Sequence, residues 1–109
     1  MSLVAVVYHL VPEAPILIAA NREERYDRAI ATPSIQSGKP RILASMDQDS
    51  GGTYLGVNQN GMFVGAIKRR KFSPPYSPRS RSALCRELLR ARSARQAVDL
   101  ASFYLTHHQ

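Results

Sequence analysis

Residues 53–67 read TYLGVNQNGMFVGAI, and this stretch carries the clearest secondary-structure signal in the chain. Its Asn60-Gly61 pair lies between two runs rich in β-branched and aromatic residues, which is the strongest short-range signal for a β-hairpin. The pattern therefore predicts antiparallel strands at residues 53–58 and 62–67. Gly51-Gly52 precede the first strand without a following helix, so they indicate a tight approach to the strand and not a dinucleotide-binding loop.

Two apolar runs precede the hairpin. Residues 3–8 contain three valines, and residues 16–20 are apolar throughout. Continuous apolar runs are typical of strands buried on both faces, so we expect two such strands joined by a short turn that contains two prolines. Residues 29–40 show no period, which predicts a loop, and residues 41–45 predict a short strand. We expect the four longer strands to share one largely antiparallel sheet.

The remainder of the chain predicts helices. Residues 68–81, KRRKFSPPYSPRSR, predict a loop, and a helix follows at about residues 82–92 with its leucines on one face. Ser93 and Gln96 have the spacing of a capping box, which predicts the start of a second helix. Strands followed by helices indicate an α+β fold in which both helices pack on one face of the sheet.

Composition narrows the class of protein. The 109 residues suffice for one domain or part of one, and no apolar run approaches the ~20 residues that span a bilayer. The N-terminal apolar run lacks the basic flank and cleavage site of a signal peptide. The single Cys85 fits a reducing compartment, so we expect a cytoplasmic protein in which this thiol is a small core residue. No metal-ligand spacing is present, and we expect neither a metal nor another cofactor.

Charge is unevenly distributed along the chain. Residues 1–67 hold five basic and six acidic groups, whereas residues 68–95 hold ten basic groups and one acidic group. Such asymmetry fits either a polyanion partner or a longer protein with an acidic remainder. The KRRK run at residues 68–71 has few aromatic neighbours and no recognition motif, so we expect a solvated strand end, with neither nucleic acid nor membrane as a partner.

Three short sequences carry a resemblance to a known family, namely AANREE (19–24), GGTYLGVNQNG (51–61) and SPRSRSAL (77–84). In this order and spacing they resemble the NRDE-motif family, also called the transport-and-Golgi-organisation family, whose members resemble N-terminal-nucleophile hydrolases. The resemblance implies the four-layer αββα sandwich of those hydrolases. Family members are much longer, so we expect residues 1–109 to be a single, incomplete N-terminal part of such a domain. Its uncovered sheet face would favour association into a homo-oligomer.

The chain departs from the family pattern at positions that matter for chemistry. Ser2 stands where the family has its nucleophilic cysteine, and Lys68 stands where it has an asparagine that helps to stabilise the oxyanion. Glu23, Tyr54 and Ser82 replace an aspartate, a tryptophan and a glycine of the family motifs.

The resemblance implies a catalytic set. With the initiator methionine removed, the Ser2 hydroxyl would attack with its own α-amine as base. Asn21 and Arg22 would polarise and anchor a substrate carbonyl or carboxylate, and Lys68 would occupy the oxyanion position. The supporting residues are expected to be Glu24, Gly51, Gly52 and Thr53. Two alternatives stay open, since Ser2 could be a cloning remnant in place of a native cysteine and Arg22 could form an ordinary ion pair with a neighbouring carboxylate.

These residues lead to two functional hypotheses. The first is an amidohydrolase that cleaves a non-peptide C–N bond through an acyl-enzyme on residue 2. The second is a non-catalytic carrier of a small molecule such as haem or a lipid, or a trafficking protein, on the same fold. Both hypotheses need a small-molecule pocket. We expect it where the start of the first strand lies beside the end of the second, with residue 2 close to Asn21 and Arg22.

Overall fold

The computed structural model describes residues 3–21, 32–46, 51–67 and 81–107, with side chains as far as Tyr104. Six strands precede two helices: β1 Leu3–Val11, β2 Ala14–Asn21, β3 Ser34–Gln36, β4 Ile42–Ala44, β5 Leu55–Asn58, β6 Phe63–Gly65, α1 Arg81–Leu88 and α2 Ala94–His107. All strand pairings within these ranges are antiparallel. The predicted α+β class is therefore confirmed.

Strands β3 to β6 form one sheet in chain order. The predicted hairpin is confirmed, because β5 and β6 pair with Val57 opposite Phe63, and Asn58 N donates to Met62 O at 2.9 Å. Gly61 N closes the turn by donating to the Asn58 carbonyl at 3.0 Å. Gly61 has a φ of +78°, a left-handed conformation that glycine adopts without steric cost. The Asn-Gly pair thus supplies a backbone conformation that this turn needs.

Strands β1 and β2 form a separate two-stranded sheet, here called the ribbon. The predicted antiparallel pairing is confirmed, with Val6 opposite Ile18, but the prediction of one sheet shared by four strands is wrong. The two strands are joined by a two-residue turn, so each finds its nearest partner in the other.

Both faces of the ribbon are apolar. Opposed residues share a face and successive residues alternate between faces, so Val6, Tyr8 and Ile16 lie on one side and Leu3 and Leu17 on the other. All five side chains are exposed. The prediction that these strands are buried on both faces is therefore wrong, because no second layer among the described residues packs extensively on either face.

A short strand lies inside the stretch predicted to be a loop, residues 29–40. Strand β3 pairs with β4, with Ile35 opposite Leu43. A strand of three residues with one apolar side chain is too short to show an alternating pattern, so the sequence could not reveal it. The neighbouring prediction of a strand at residues 41–45 is confirmed by β4.

The core lies between the four-stranded sheet and α1. Leu89, in the turn after α1, is fully buried, and it forms one apolar cluster with Cys85 of the helix and Ile42 of β4. Gly56 permits this close packing, since a Cβ there would lie only 2.9 Å from both the Leu89 Cδ1 and the Ala44 Cβ. Small residues on the sheet therefore set the distance between helix and sheet.

The junction between the two helices follows the predicted capping box. Helix α1 ends at Leu88, short of the predicted end at residue 92, and a turn leads into α2. Ser93 Oγ accepts from Gln96 N at 3.1 Å, and Gln96 Oε1 accepts from Arg92 N at 2.7 Å. The capping box is confirmed, although the Gln96 side chain accepts from the N–H of Arg92 and not, as is usual, from the N–H of the cap residue Ser93.

Candidate functional site

The predicted site residues fall into two groups. Ser2, Arg22, Glu24 and Lys68 lie outside the described residues. Asn21 is the last residue of β2 on the ribbon, whereas residues 51–53 lead into β5 of the larger sheet. The structure thus places the described candidates on two different sheets.

Asn21 lies beside the start of the first strand. It pairs with Leu3 across the ribbon, and its side-chain Oδ1 accepts from Leu3 N at 3.1 Å. This confirms the prediction that the start of the first strand lies beside the end of the second. The hydrogen bond also fixes the orientation of the amide, whose Nδ2 carries two N–H donors.

Residues 51–53 tie the start of β5 to the start of α1. A Cβ at Gly52 would overlap the backbone of Ser82, so only glycine lets the two segments approach this closely. Thr53 N donates to Ser82 O at 3.1 Å, and Thr53 Oγ1 donates to Ser45 O at 2.6 Å. These contacts confirm a tight approach to the strand. They also show that residues 51–53 connect β5 to α1 in the core.

Asn58 is a buried polar residue that the sequence did not single out. Its Nδ2 donates to the carbonyls of Leu89 at 2.9 Å and Ala91 at 3.1 Å. Its Oδ1 accepts from Asn60 N at 3.0 Å and Met62 N at 3.1 Å. Both donors and both acceptor positions of the amide are used, so one side chain joins the hairpin turn to the end of α1. The available signal was an asparagine placed just before an Asn-Gly turn.

Cys85 is a core residue, as predicted. It is 1% exposed, and burial raises the pKa of its thiol from 9.0 to about 12. A thiol that stays protonated is a poor nucleophile, which fits the buried position of Cys85 in the core. Within the described ranges, no three potential metal ligands come together, and no helix is long and apolar enough to cross a membrane.

A cleft of about 570 Å³ lies on the side of the larger sheet where β3 meets α1. Residues 35–40, Ile42, Arg86 and Arg90 line it. Sequence reasoning missed this cleft because two of its walls, β3 and the turn after it, were predicted to be part of a loop. The available signal was the four-residue spacing of Arg86 and Arg90, which would place both cations on one side of the predicted helix at residues 82–92. In the structure, Arg86 lies on α1 and Arg90 lies in the turn after it.

These features define an α+β chain with two antiparallel sheets, a core to which both helices contribute and glycine-dependent contacts in the GGTYLG stretch. The sequence profile of the Transport and Golgi organisation 2 family matches residues 1–107. The chain therefore belongs to this family, which confirms the resemblance drawn from the three motifs. No curated protein and no solved structure matches the chain.

Proposed function

We propose that this protein is an N-terminal-nucleophile amidohydrolase that cleaves a non-peptide C–N bond where β1 begins and β2 ends. The observation that supports the proposal is the pairing of Leu3 with Asn21, whose amide oxygen accepts the Leu3 N–H. Ser2 is joined to Leu3 by one peptide bond, which separates their Cα atoms by about 3.8 Å. The Asn21 amide thus contacts the residue that follows the implied nucleophile in the chain. We further propose that the fold is the four-layer αββα sandwich and that the protein is cytoplasmic.

The proposed reaction uses the groups of residue 2 and the end of β2. Ser2 Oγ attacks the substrate carbonyl carbon, and its proton moves to the free α-amine, whose unperturbed pKa is about 7.7–8.0. Asn21 Nδ2 donates to the oxyanion, and Arg22 and Lys68 add positive charge. The C–N bond breaks as the leaving amine takes the proton from the α-ammonium group. Water then hydrolyses the Ser2 ester and regenerates the hydroxyl.

An acyl-transfer probe tests the proposal without knowledge of the natural substrate. p-Nitrophenyl acetate should release nitrophenolate and leave one acetyl group on residue 2, which intact-protein and peptide mass spectrometry would detect. The α-amine acts as a base only when neutral, so the rate should rise with pH through about 8. Ser2→Ala should abolish this labelling. Equal labelling of Ser2→Ala, or retention of Met1 in the wild-type protein, would contradict the proposal.

Asn21→Asp separates a catalytic role of Asn21 from its structural role. The carboxylate keeps an oxygen that accepts the Leu3 N–H but has no N–H donors. Loss of one oxyanion donor costs about 10²–10³ in rate, so acetylation should slow by about that factor while the circular dichroism spectrum is unchanged. Asn60→Asp on the exposed hairpin turn is the matched control. Acetylation of Asn21→Asp at the rate of this control would leave Asn21 with a structural role alone.

The exposed apolar faces of the ribbon favour a second function, carriage of an apolar small molecule such as haem or a lipid. Tyr8 is 66% exposed, and such a side chain can stack on a flat ligand. Hemin, followed by its Soret absorbance, and a fluorescent fatty-acid analogue are suitable probes. Tyr8→Lys should weaken binding, whereas Val98→Lys on α2, at a position that is 61% exposed, should not. Ser2→Ala should bind as wild type, and equal affinities of the two lysine variants would argue against carriage by the ribbon.

A further inference from the structure

The cleft beside β3 and α1 is positively charged. Lys39, Arg86 and Arg90 line it, and none of its described lining residues is acidic. The carboxyl end of α1 contributes roughly half a negative elementary charge, which is small against three cations. Net charge therefore favours an anionic occupant.

Two residues that line this cleft each carry a buried hydrogen-bond donor without a partner. Gln36 Nε2 and Arg86 Nε have no hydrogen-bond partner within the part of the chain that the structure describes. Buried polar atoms in proteins are nearly always hydrogen-bonded, so each of these needs an explanation. Since both atoms donate, the group that would satisfy them is an acceptor.

Arg86 is already oriented for such an acceptor. Its Nη1 donates to the carbonyl of Gly51 at 2.8 Å, which fixes the plane of the guanidinium. The opposite edge, formed by Nε and Nη2, is the edge that meets two oxygens of a carboxylate or phosphate together. Gly51 presents its carbonyl from a backbone with a φ of +74°, a left-handed conformation suited to glycine. Gly51 thus contributes to the cleft indirectly, because its carbonyl orients the Arg86 side chain.

We infer that this cleft is a binding site for an oxyanion group of a small molecule, either a phosphate or a carboxylate. Arg86 Nε and Gln36 Nε2 donate to its oxygens, and Arg90 and Lys39 supply further positive charge. None of these residues belongs to the proposed catalytic edge at residue 2. The inference therefore stands or falls independently of the hydrolase proposal.

Side-chain NMR signals give the most direct test. Isotope-labelled protein is titrated with sodium phosphate and, in parallel, with sodium acetate, at constant ionic strength maintained by chloride. The Arg86 Nε–H and Gln36 Nε2–H₂ signals should shift and saturate. A lower half-saturating concentration for phosphate identifies a phosphate site, and a lower one for acetate identifies a carboxylate site. No saturable shift with either anion would overturn the inference.

Charge-matched variants distinguish a specific anion-binding site from a general effect of net charge. Gln36→Glu replaces the Nε2 donor by a carboxylate oxygen, which cannot donate and carries negative charge like the bound anion. This variant should weaken binding of the preferred anion by about tenfold or more. Arg90→Gln should weaken it several-fold. Arg95→Gln removes the same charge from exposed α2, outside the cleft, and should leave the affinity unchanged. Equal weakening by Arg90→Gln and Arg95→Gln, or wild-type affinity of Gln36→Glu, would overturn the inference.

Discussion

Removal of the Asn58 side chain should cost a large part of the stability of the core. Asn58→Ala deletes four hydrogen bonds, three of them buried, and leaves the carbonyls of Leu89 and Ala91 without these partners. A net loss of about 1 kcal/mol for each buried bond, with a further penalty for buried unpaired groups, gives about 3–5 kcal/mol. Domains of this size have a total free energy of unfolding of about 5–15 kcal/mol. The variant should therefore lose at least about a fifth of its free energy of unfolding, and most of it if the total lies near 5 kcal/mol.

Urea unfolding, followed by circular dichroism, measures this loss. In thermal unfolding, the melting temperature should fall by roughly 12 °C or more, since each kcal/mol shifts it by about 4–8 °C in a small domain. Asn60→Ala is the matched control, because the Asn60 side chain makes one long contact of 3.5 Å with Ala91 O. We expect the control to lose about 0.5 kcal/mol or less. A loss for Asn58→Ala below about 1 kcal/mol, or equal to that of the control, would refute the role of Asn58 as the link between hairpin and helix.

A carboxylate at the same position tests the donor half of this link. Asn58→Asp keeps the acceptor for the turn amides but brings a charge against the two carbonyls that Nδ2 now contacts. Burial and these carbonyls should raise the pKa of the new carboxyl in the folded state above its ordinary value of about 3.9. The folded state then binds the proton more tightly than the unfolded state, so Asn58→Asp should gain stability relative to wild type as the pH falls. A pH-independent difference between the two proteins would contradict this account.

Three further outcomes follow from the packing, each measurable by urea unfolding. Gly52→Ala should destabilise the protein by more than Gly61→Ala. The Cβ added at residue 52 would overlap helix backbone, whereas the Cβ added at residue 61 meets open space and costs only the strain of a left-handed conformation, about 1–2 kcal/mol. Ser93→Ala should cost about 1 kcal/mol through loss of the helix cap, whereas Ser102→Ala on the exposed part of α2 should cost almost nothing; equal losses would refute the capping role. Burial raises the pKa of Cys85 from 9.0 to about 12, so the contribution of the protonated thiol to the free energy of unfolding is fully present below pH 9 and is lost as the pH rises toward 12. A Cys85→Ala variant whose stability declines in the same way over this pH range would refute this.

Local patterns in the sequence were sufficient for the elements that depend on local chemistry. The Asn60-Gly61 turn, the Ser93 cap and the antiparallel pairing of the first two strands each follow from residues close together in the chain. The buried state of Cys85 followed from its place beside apolar helix residues. The family resemblance followed from three motifs in order, and the profile match confirms it.

Features that depend on long-range contacts could not be predicted in this way. Nothing near β3 in sequence marks it as a strand, because its pairing partner β4 supplies the evidence. The role of Asn58 depends on carbonyls 31 and 33 residues away, and the cleft is lined by residues as distant in the chain as Gln36 and Arg86. The separate ribbon was missed because an apolar run predicts burial but does not indicate which surface covers it.

The separation of the ribbon from the larger sheet has a consequence for hydrogen exchange. In the described part of the chain, the amides of β1 and β2 are protected by bonds between these two strands alone, so they can open while the core around Leu89 stays closed. A two-stranded hairpin is only marginally stable, and alternate residues of an antiparallel pair direct their N–H groups away from the partner strand. Deuterium should therefore enter residues 3–21 rapidly. The amides of Met62 and Val64, which belong to the hairpin fastened to α1, should exchange only when the core itself unfolds.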